Sequence, residues 1–125
     1  MPKKIMVVDD EDFMIDFIRT GLEIEGYDVI STSNALQAIE LAHQNKPDLI
    51  ILDFMMPGID GYSIYKGLSA SQITKYIPVI FVTGNLTPEV RAKIFQTKAF
   101  CFLPKPFEIT ELTNKVKEAL SILPV

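Results

Sequence analysis

Cysteine, long apolar runs and blocks of basic charge are what this sequence has little of. A single cysteine, Cys101, excludes an internal disulfide, and its place in an apolar run reads as a small core residue. No apolar stretch approaches the ~20 residues that a membrane-spanning helix needs. Lys3 and Lys4 are followed by only four apolar residues before acids begin, too few for a secretory leader. With no Lys/Arg block, no zinc-finger spacing and a net charge of -4, nothing favours direct nucleic-acid binding. Internal repeats, linkers and low-complexity segments are absent too. What remains is 125 residues, 48% of them apolar, enough for a sizeable core. A single domain over 1–125 in the cytoplasm is the default expectation.

The stretch Leu49-Ile50-Ile51-Leu52-Asp53 dominates what is present. Four consecutive apolar residues suit a strand buried on both faces, and Pro57-Gly58 forces a turn soon after its terminal carboxylate. Ile5–Val8, Val29-Ile30, Val79–Val82 and Phe100–Leu103 read as four more short strands. Between them lie helical periods: Met14, Phe17, Ile18, Gly21 and Leu22; Ala35, Ala38, Ile39 and Ala42; Ile64, Tyr65 and Leu68; Val90 and Ile94, running to about Thr97. Ile109, Leu112, Val116, Ala119, Leu120 and Leu123 mark the last and clearest one. Ser33 or Asn34, Asp60 and Thr87 are candidate caps, the last followed by Pro88 at the first helical position. Pro104-Lys105-Pro106 should not continue as regular sheet, because two of these residues lack a backbone donor. Five buried strands alternating with five amphipathic helices imply an α/β fold, a doubly wound (βα)5 sandwich around a parallel sheet.

A parallel sheet places all its strand C-termini at one edge. The residues that gather there are Asp9 and Asp10, Asp53, Thr83 and Lys105. Four successive acids, Asp9-Asp10-Glu11-Asp12, repel one another, which a helix N-terminus or a bound cation relieves. A few hard oxygen ligands favour Mg2+ with retained waters. A carboxylate can attack a phosphoryl group, while a cation, a lysine and a hydroxyl neutralise its oxygens. Four unrelated strand ends would not be expected to supply such a matched set.

On these residues the chain resembles the receiver domains of two-component response regulators over essentially its whole length. The motifs are Val7-Val8-Asp9-Asp10-Glu11, then Leu52-Asp53 with Met56-Pro57-Gly58 and Asp60-Gly61, then Thr83, and Phe102-Leu103 before Lys105-Pro106. The resemblance implies the flavodoxin-like strand order 2-1-3-4-5 and a cis Lys105-Pro106 peptide. It makes Asp53 the phosphoacceptor, Lys105 and Thr83 its partners, and Thr83 and Phe102 the switch pair. It assigns Mg2+ to Asp10 and Asp53 directly, to Asp9 through water and to the backbone carbonyl of Met55. A sensor histidine kinase or histidine phosphotransfer protein is the implied donor, and a downstream protein or output domain the recipient. The face comprising the fourth helix, fifth strand and fifth helix is the implied output surface. It would serve for docking or for a phosphorylation-dependent homodimer, with Phe95 a candidate exposed anchor. Such a chain is an acceptor that phosphorylates and dephosphorylates itself rather than a turnover enzyme.

Two positions depart from the family pattern. Gly84 stands where alanine is usual, and Lys98-Ala99 where glycine is common, so that turn lacks its permissive residue. No acceptor or metal position is lost. A haloacid-dehalogenase-like phosphatase would need an acid at Met55, and a flavodoxin-like FMN site would need Ser, Thr and Gly where Asp9–Asp12 stand. A phosphorylation-independent pseudo-receiver or scaffold is the other reading that the residues leave open. Whether the chain is a whole single-domain regulator or a piece of a longer protein is open as well.

Overall fold

The structure is a computed structural model and describes residues 2–122; Leu123 lies outside the described residues. Its strands are β1 (Lys4–Val8), β2 (Asp28–Thr32), β3 (Leu49–Asp53), β4 (Val79–Thr83) and β5 (Cys101–Pro104). They form one parallel sheet in the order β2-β1-β3-β4-β5. The helices are α1 (Asp12–Ile24), α2 (Ala38–Asn45), α3 (Gly61–Ser69), α4 (Pro88–Phe95) and α5 (Ile109–Ser121).

Alternation along the strands builds two cores. Met6, Val8, Ile50, Leu52 and Phe81 point to one face, where Ala38, Ala42, Ile64, Leu68, Val90 and Ile94 of α2, α3 and α4 cover them. Ile5, Val7, Leu49, Ile51, Ile80 and Val82 point to the other, under Ile15, Ile18 and Leu22 of α1 and Leu112, Val116 and Ala119 of α5. Both faces of β1, β3 and β4 are therefore apolar, which is why these strands read as continuous runs.

Local chemistry sets the helix starts. The Asp60 carboxylate accepts from the Ser63 N–H at 2.8 Å, and the Thr87 hydroxyl accepts from the Val90 N–H at 3.1 Å. Asn34, rather than Ser33, accepts from Leu36 N–H, but it caps a short 3-10 turn, Ala35–Gln37, that precedes α2. Glu108 and Glu111 form a reciprocal capping box on α5.

Three expectations need correction. The buried stripe of α1 is Ile15, Ile18 and Leu22; Phe17 is 44% exposed and leans on Phe107, with ring centroids 6.1 Å apart. Strand β5 continues through Pro104, which pairs in register with Thr83. It is an edge strand, so the missing donor of Pro104 faces outward while Lys105 N–H returns to the Thr83 carbonyl at 2.7 Å. Helix α4 stops at Phe95, two residues early, where the Thr97 hydroxyl donates to the Ile94 carbonyl and accepts from Ala99 N–H. That hydroxyl makes the Lys98-Ala99 turn without any left-handed residue there.

Gly61 is the tightest point of the backbone near the acidic edge. A methyl group on it would lie 2.8 Å from both the Asp53 carbonyl oxygen and the Phe54 Cα, atoms that cannot swing aside. Gly61→Ala should therefore cost about 1–3 kcal/mol in chemical denaturation. An unchanged unfolding midpoint would show that this packing is not constraining.

Candidate functional site

Asp9 follows β1, Asp53 ends β3, Thr83 ends β4, and Lys105 follows β5. Parallel pairing sets these ends side by side: Val8 lies opposite Leu52, Asp53 opposite Val82, and Thr83 opposite Pro104. The carboxylate oxygens of Asp9, Asp10 and Asp53 lie within 4.8 Å of one another, a grouping able to hold a metal ion. Lys105 Nζ donates to Asp9 at 2.8 Å and to Asp53 at 3.3 Å, with Glu11 a further 3.7 Å ion-pair partner. The Lys105-Pro106 peptide is cis.

The three acids are not equivalent. Asp9 is fully buried and both its oxygens are engaged, one by Glu11 N–H at 2.9 Å and the other by Lys105. Asp10 is exposed. Asp53 is buried, with Met55 N–H donating to one oxygen at 3.1 Å and Lys105 facing the other. Burial, reinforced by the Asp9 charge, pushes the Asp53 carboxyl up to about 6 against the opposing pull of Lys105 and the Met55 N–H. The Lys105 ammonium would be lowered by burial, but its bond to Asp9 and the Asp53 charge hold it above the ordinary lysine value. At neutral pH the lysine is charged and Asp53 is mostly ionised. The site thus combines a desolvated carboxylate, a fixed cation and an open acid.

Thr83 is fully buried and does not bond to Asp53; its hydroxyl accepts from Asn85 N–H at 3.2 Å. Gly84 leaves room beside Lys105, since a methyl group there would make only ordinary contacts at 3.9 Å. Phe102 is half-buried, its ring edge-on to Phe95 at 6.3 Å and under the Arg91 guanidinium at 5.6 Å. Phe95 is 67% exposed. Met55 is exposed and belongs to a two-residue antiparallel ladder, Met55-Met56 with Ile59-Asp60, that the sequence reading missed. Its one signal was Pro57-Gly58, whose Gly58 takes a positive φ of 82°. Glu11 was likewise read as one of a run of acids and as the end of the first motif, not as a partner of Lys105.

Fold and site together define a doubly wound signalling domain with an acid pole at the strand C-termini. The chain belongs to the response regulator receiver domain family, which it matches over residues 5–117. It is 32% identical to the polar-differentiation response regulator DivK of Brucella anthropi, over 96% of this chain and 98% of that one. It is 35% identical to the alkaline phosphatase synthesis transcriptional regulatory protein PhoP of Bacillus subtilis, again over 96% of this chain but only 49% of that one. The chain therefore spans nearly all of one relative and about half of the other. Among solved structures, a chain of Chloroflexus aurantiacus J-10-fl assigned as a response regulator superposes with a TM-score of 0.90. It shares 31% identity, over 98% of this chain and 100% of that one. The receiver domain of sensor histidine kinase PA1611 from Pseudomonas aeruginosa PAO1, solved with a magnesium ion coordinated in its active site cleft, gives a TM-score of 0.89. That match has 26% identity over 98% and 100% of the two chains. Among the described residues no helix is long and apolar enough to cross a membrane.

The raised Asp53 carboxyl makes stability depend on pH. The folded state holds the Asp53 proton more tightly than the unfolded chain does, so this contribution is full below pH ~4 and is lost as pH rises through about 6. A shift of that size corresponds to on the order of 3 kcal/mol. Asp53→Asn should raise the urea midpoint at pH 8 and lose its advantage by pH 4. An advantage independent of pH would contradict the burial argument.

Proposed function

We propose that this chain is the phosphoacceptor of a two-component phosphorelay, with Asp53 the residue that receives the phosphoryl group. The observation that carries this reading is one buried carboxylate held against Lys105 and within 4.8 Å of two further acids. An Asp53 oxygen attacks phosphorus of a phosphohistidine on a sensor histidine kinase or a histidine phosphotransfer protein. The new O–P bond forms as the P–N bond breaks, and the electron pair leaves on the imidazole. Burial leaves the nucleophile poorly hydrated, and Lys105, already 3.3 Å away, stays beside the oxygens on which charge grows.

The donor set suits Mg2+, for which Asp10 and Asp53 would be direct ligands and the Met55 carbonyl another. Asp9, fully buried behind the exposed Asp10, would act through a water, as the receiver family implies. When bound, the ion supplies positive charge to the phosphoryl oxygens and to the crowded acids. Water later cleaves the acyl phosphate, returning the carboxylate and inorganic phosphate. Cytoplasmic location and action through a downstream protein, an output domain or a homodimer belong to the same reading.

The signal leaves through Thr83. The phosphoryl group adds about -1.5 to -2 charges and three acceptor oxygens. Thr83 reaches one of them by giving up its contact with Asn85, and Phe102 turns inward from its half-buried place beside Phe95 and Arg91. The face of α4, β5 and α5 changes with it.

Acetyl phosphate and Mg2+ should label wild type and Thr83→Ala at Asp53 alone, as mapped by mass spectrometry. Only wild type should then show amide shifts across residues 88–108. Labelling that persists in Asp53→Asn would refute the acceptor, and equal shifts in both labelled proteins would refute the coupling.

A further inference from the structure

A cleft of about 990 Å3 opens at the opposite edge of the sheet, where the strands begin rather than end. Lys3 precedes β1, Asp48 precedes β3, Pro78 precedes β4 and Phe100 precedes β5, so the same parallel pairing that assembles the acid pole gathers these residues too. The wall is apolar, built from Leu68 of α3, Ile77, Val79, Phe100 and Leu120 of α5. The 70–78 connection between α3 and β4 forms one side. Its turn is fixed from within by the buried Thr74 hydroxyl, which donates to the Leu68 carbonyl at 2.6 Å.

The charge around this cleft is one-sided. Lys3, Lys75 and Lys98 line it against a single carboxylate, Asp48, one of whose oxygens already accepts from Lys4 N–H at 2.8 Å. Among the described residues Lys93, Lys105, Lys115 and Lys117 are in ion pairs, and none of the three cleft lysines is. Tyr65 lines the cleft as well; its hydroxyl accepts from Lys98 N–H at 2.7 Å, and its own proton has no acceptor among the described residues. The cleft therefore carries more positive than negative charge over an apolar wall, with Ser69 and Gln96 adding neutral polar groups.

We propose that this cleft binds a small organic anion, a carboxylate, sulfonate or phosphate ester carried on an aromatic or aliphatic body. An apolar concavity with a few converging polar groups is the usual form of a small-molecule site, and such sites run to ~300–1,000 Å3. The apolar wall takes the body while the lysines and the Tyr65 hydroxyl take the charged group. The site is separate from the acid pole, which repels anions in the absence of a cation.

The test uses 8-anilinonaphthalene-1-sulfonate and its uncharged relative N-phenyl-1-naphthylamine on the full chain. The sulfonate should bind saturably at one site, shifting amides of residues 65–79 and 96–100, and its affinity should fall with added NaCl. Lys75→Glu/Lys98→Glu should weaken the sulfonate roughly tenfold and the neutral probe less than about twofold. Both lysines are exposed, so the variant should melt as the wild type does, and the salt dependence tests the same charges without mutation. Asp53→Asn should bind the sulfonate normally, which separates this site from the phosphoacceptor reading. Unsaturable binding, equal weakening of both probes, or shifts confined to other residues would overturn the proposal. So would displacement by the peptide Glu-Glu-Tyr-Glu-Glu at lower concentration than by benzoate, which would assign the cleft to an acidic protein partner.

Discussion

Lys105 stands between two carboxylates that the fold forces together, and most of the site depends on that contact. Asp9 and Asp53 end neighbouring parallel strands, buried in each case, so their charges cannot move apart or be hydrated. A buried like-charged pair is unfavourable without compensation. One ammonium at 2.8 and 3.3 Å supplies part of it. What it leaves uncompensated, chiefly the burial of Asp53 and then the Asp9 charge, persists as the upward push on the Asp53 carboxyl. A cation that joins the acids, or a phosphoryl group drawn to Lys105, acts on this stored repulsion.

The scaffold makes that crowding possible by being rigid. Two apolar layers clamp β1, β3 and β4 from both sides, and Gly61 lets the turn after β3 approach the backbone of Asp53 and Phe54 without a side chain between. Packing is less complete toward β5, an edge strand whose half-buried Phe102 rests against the core on one side and meets an exposed Phe95 and Arg91 on the other. Full burial at the acids and partial burial beside β5 suit the proposed role, in which a group is received at one place and the shape changes at another.

The sequence carried the strands, the parallel layering and the strand-end residues, because fully buried strands leave uninterrupted apolar runs and a parallel sheet must align their ends. The caps at Asp60 and Thr87 were legible for a local reason, each lying three residues before the N–H it binds. Phe17 was misplaced because helical spacing admits two adjacent stripes, and only the position of α5 and Phe107 adds Ile15 to Ile18 and Leu22 in its place. Pro104 was excluded from the sheet because the chain does not reveal that its strand is at an edge. The distinction among Asp9, Asp10 and Asp53 is tertiary: burial and the reach of Lys105 make it, and residue type does not.

The carboxyl carbon of Asp53, followed by 13C NMR through a pH titration with and without Mg2+, tests the central claim most directly. The account predicts a midpoint near 6 in the metal-free protein, and a fall of about one unit or more at saturating Mg2+ as a neighbouring cation favours the ionised form. A midpoint near 4 that does not respond to Mg2+ would contradict it.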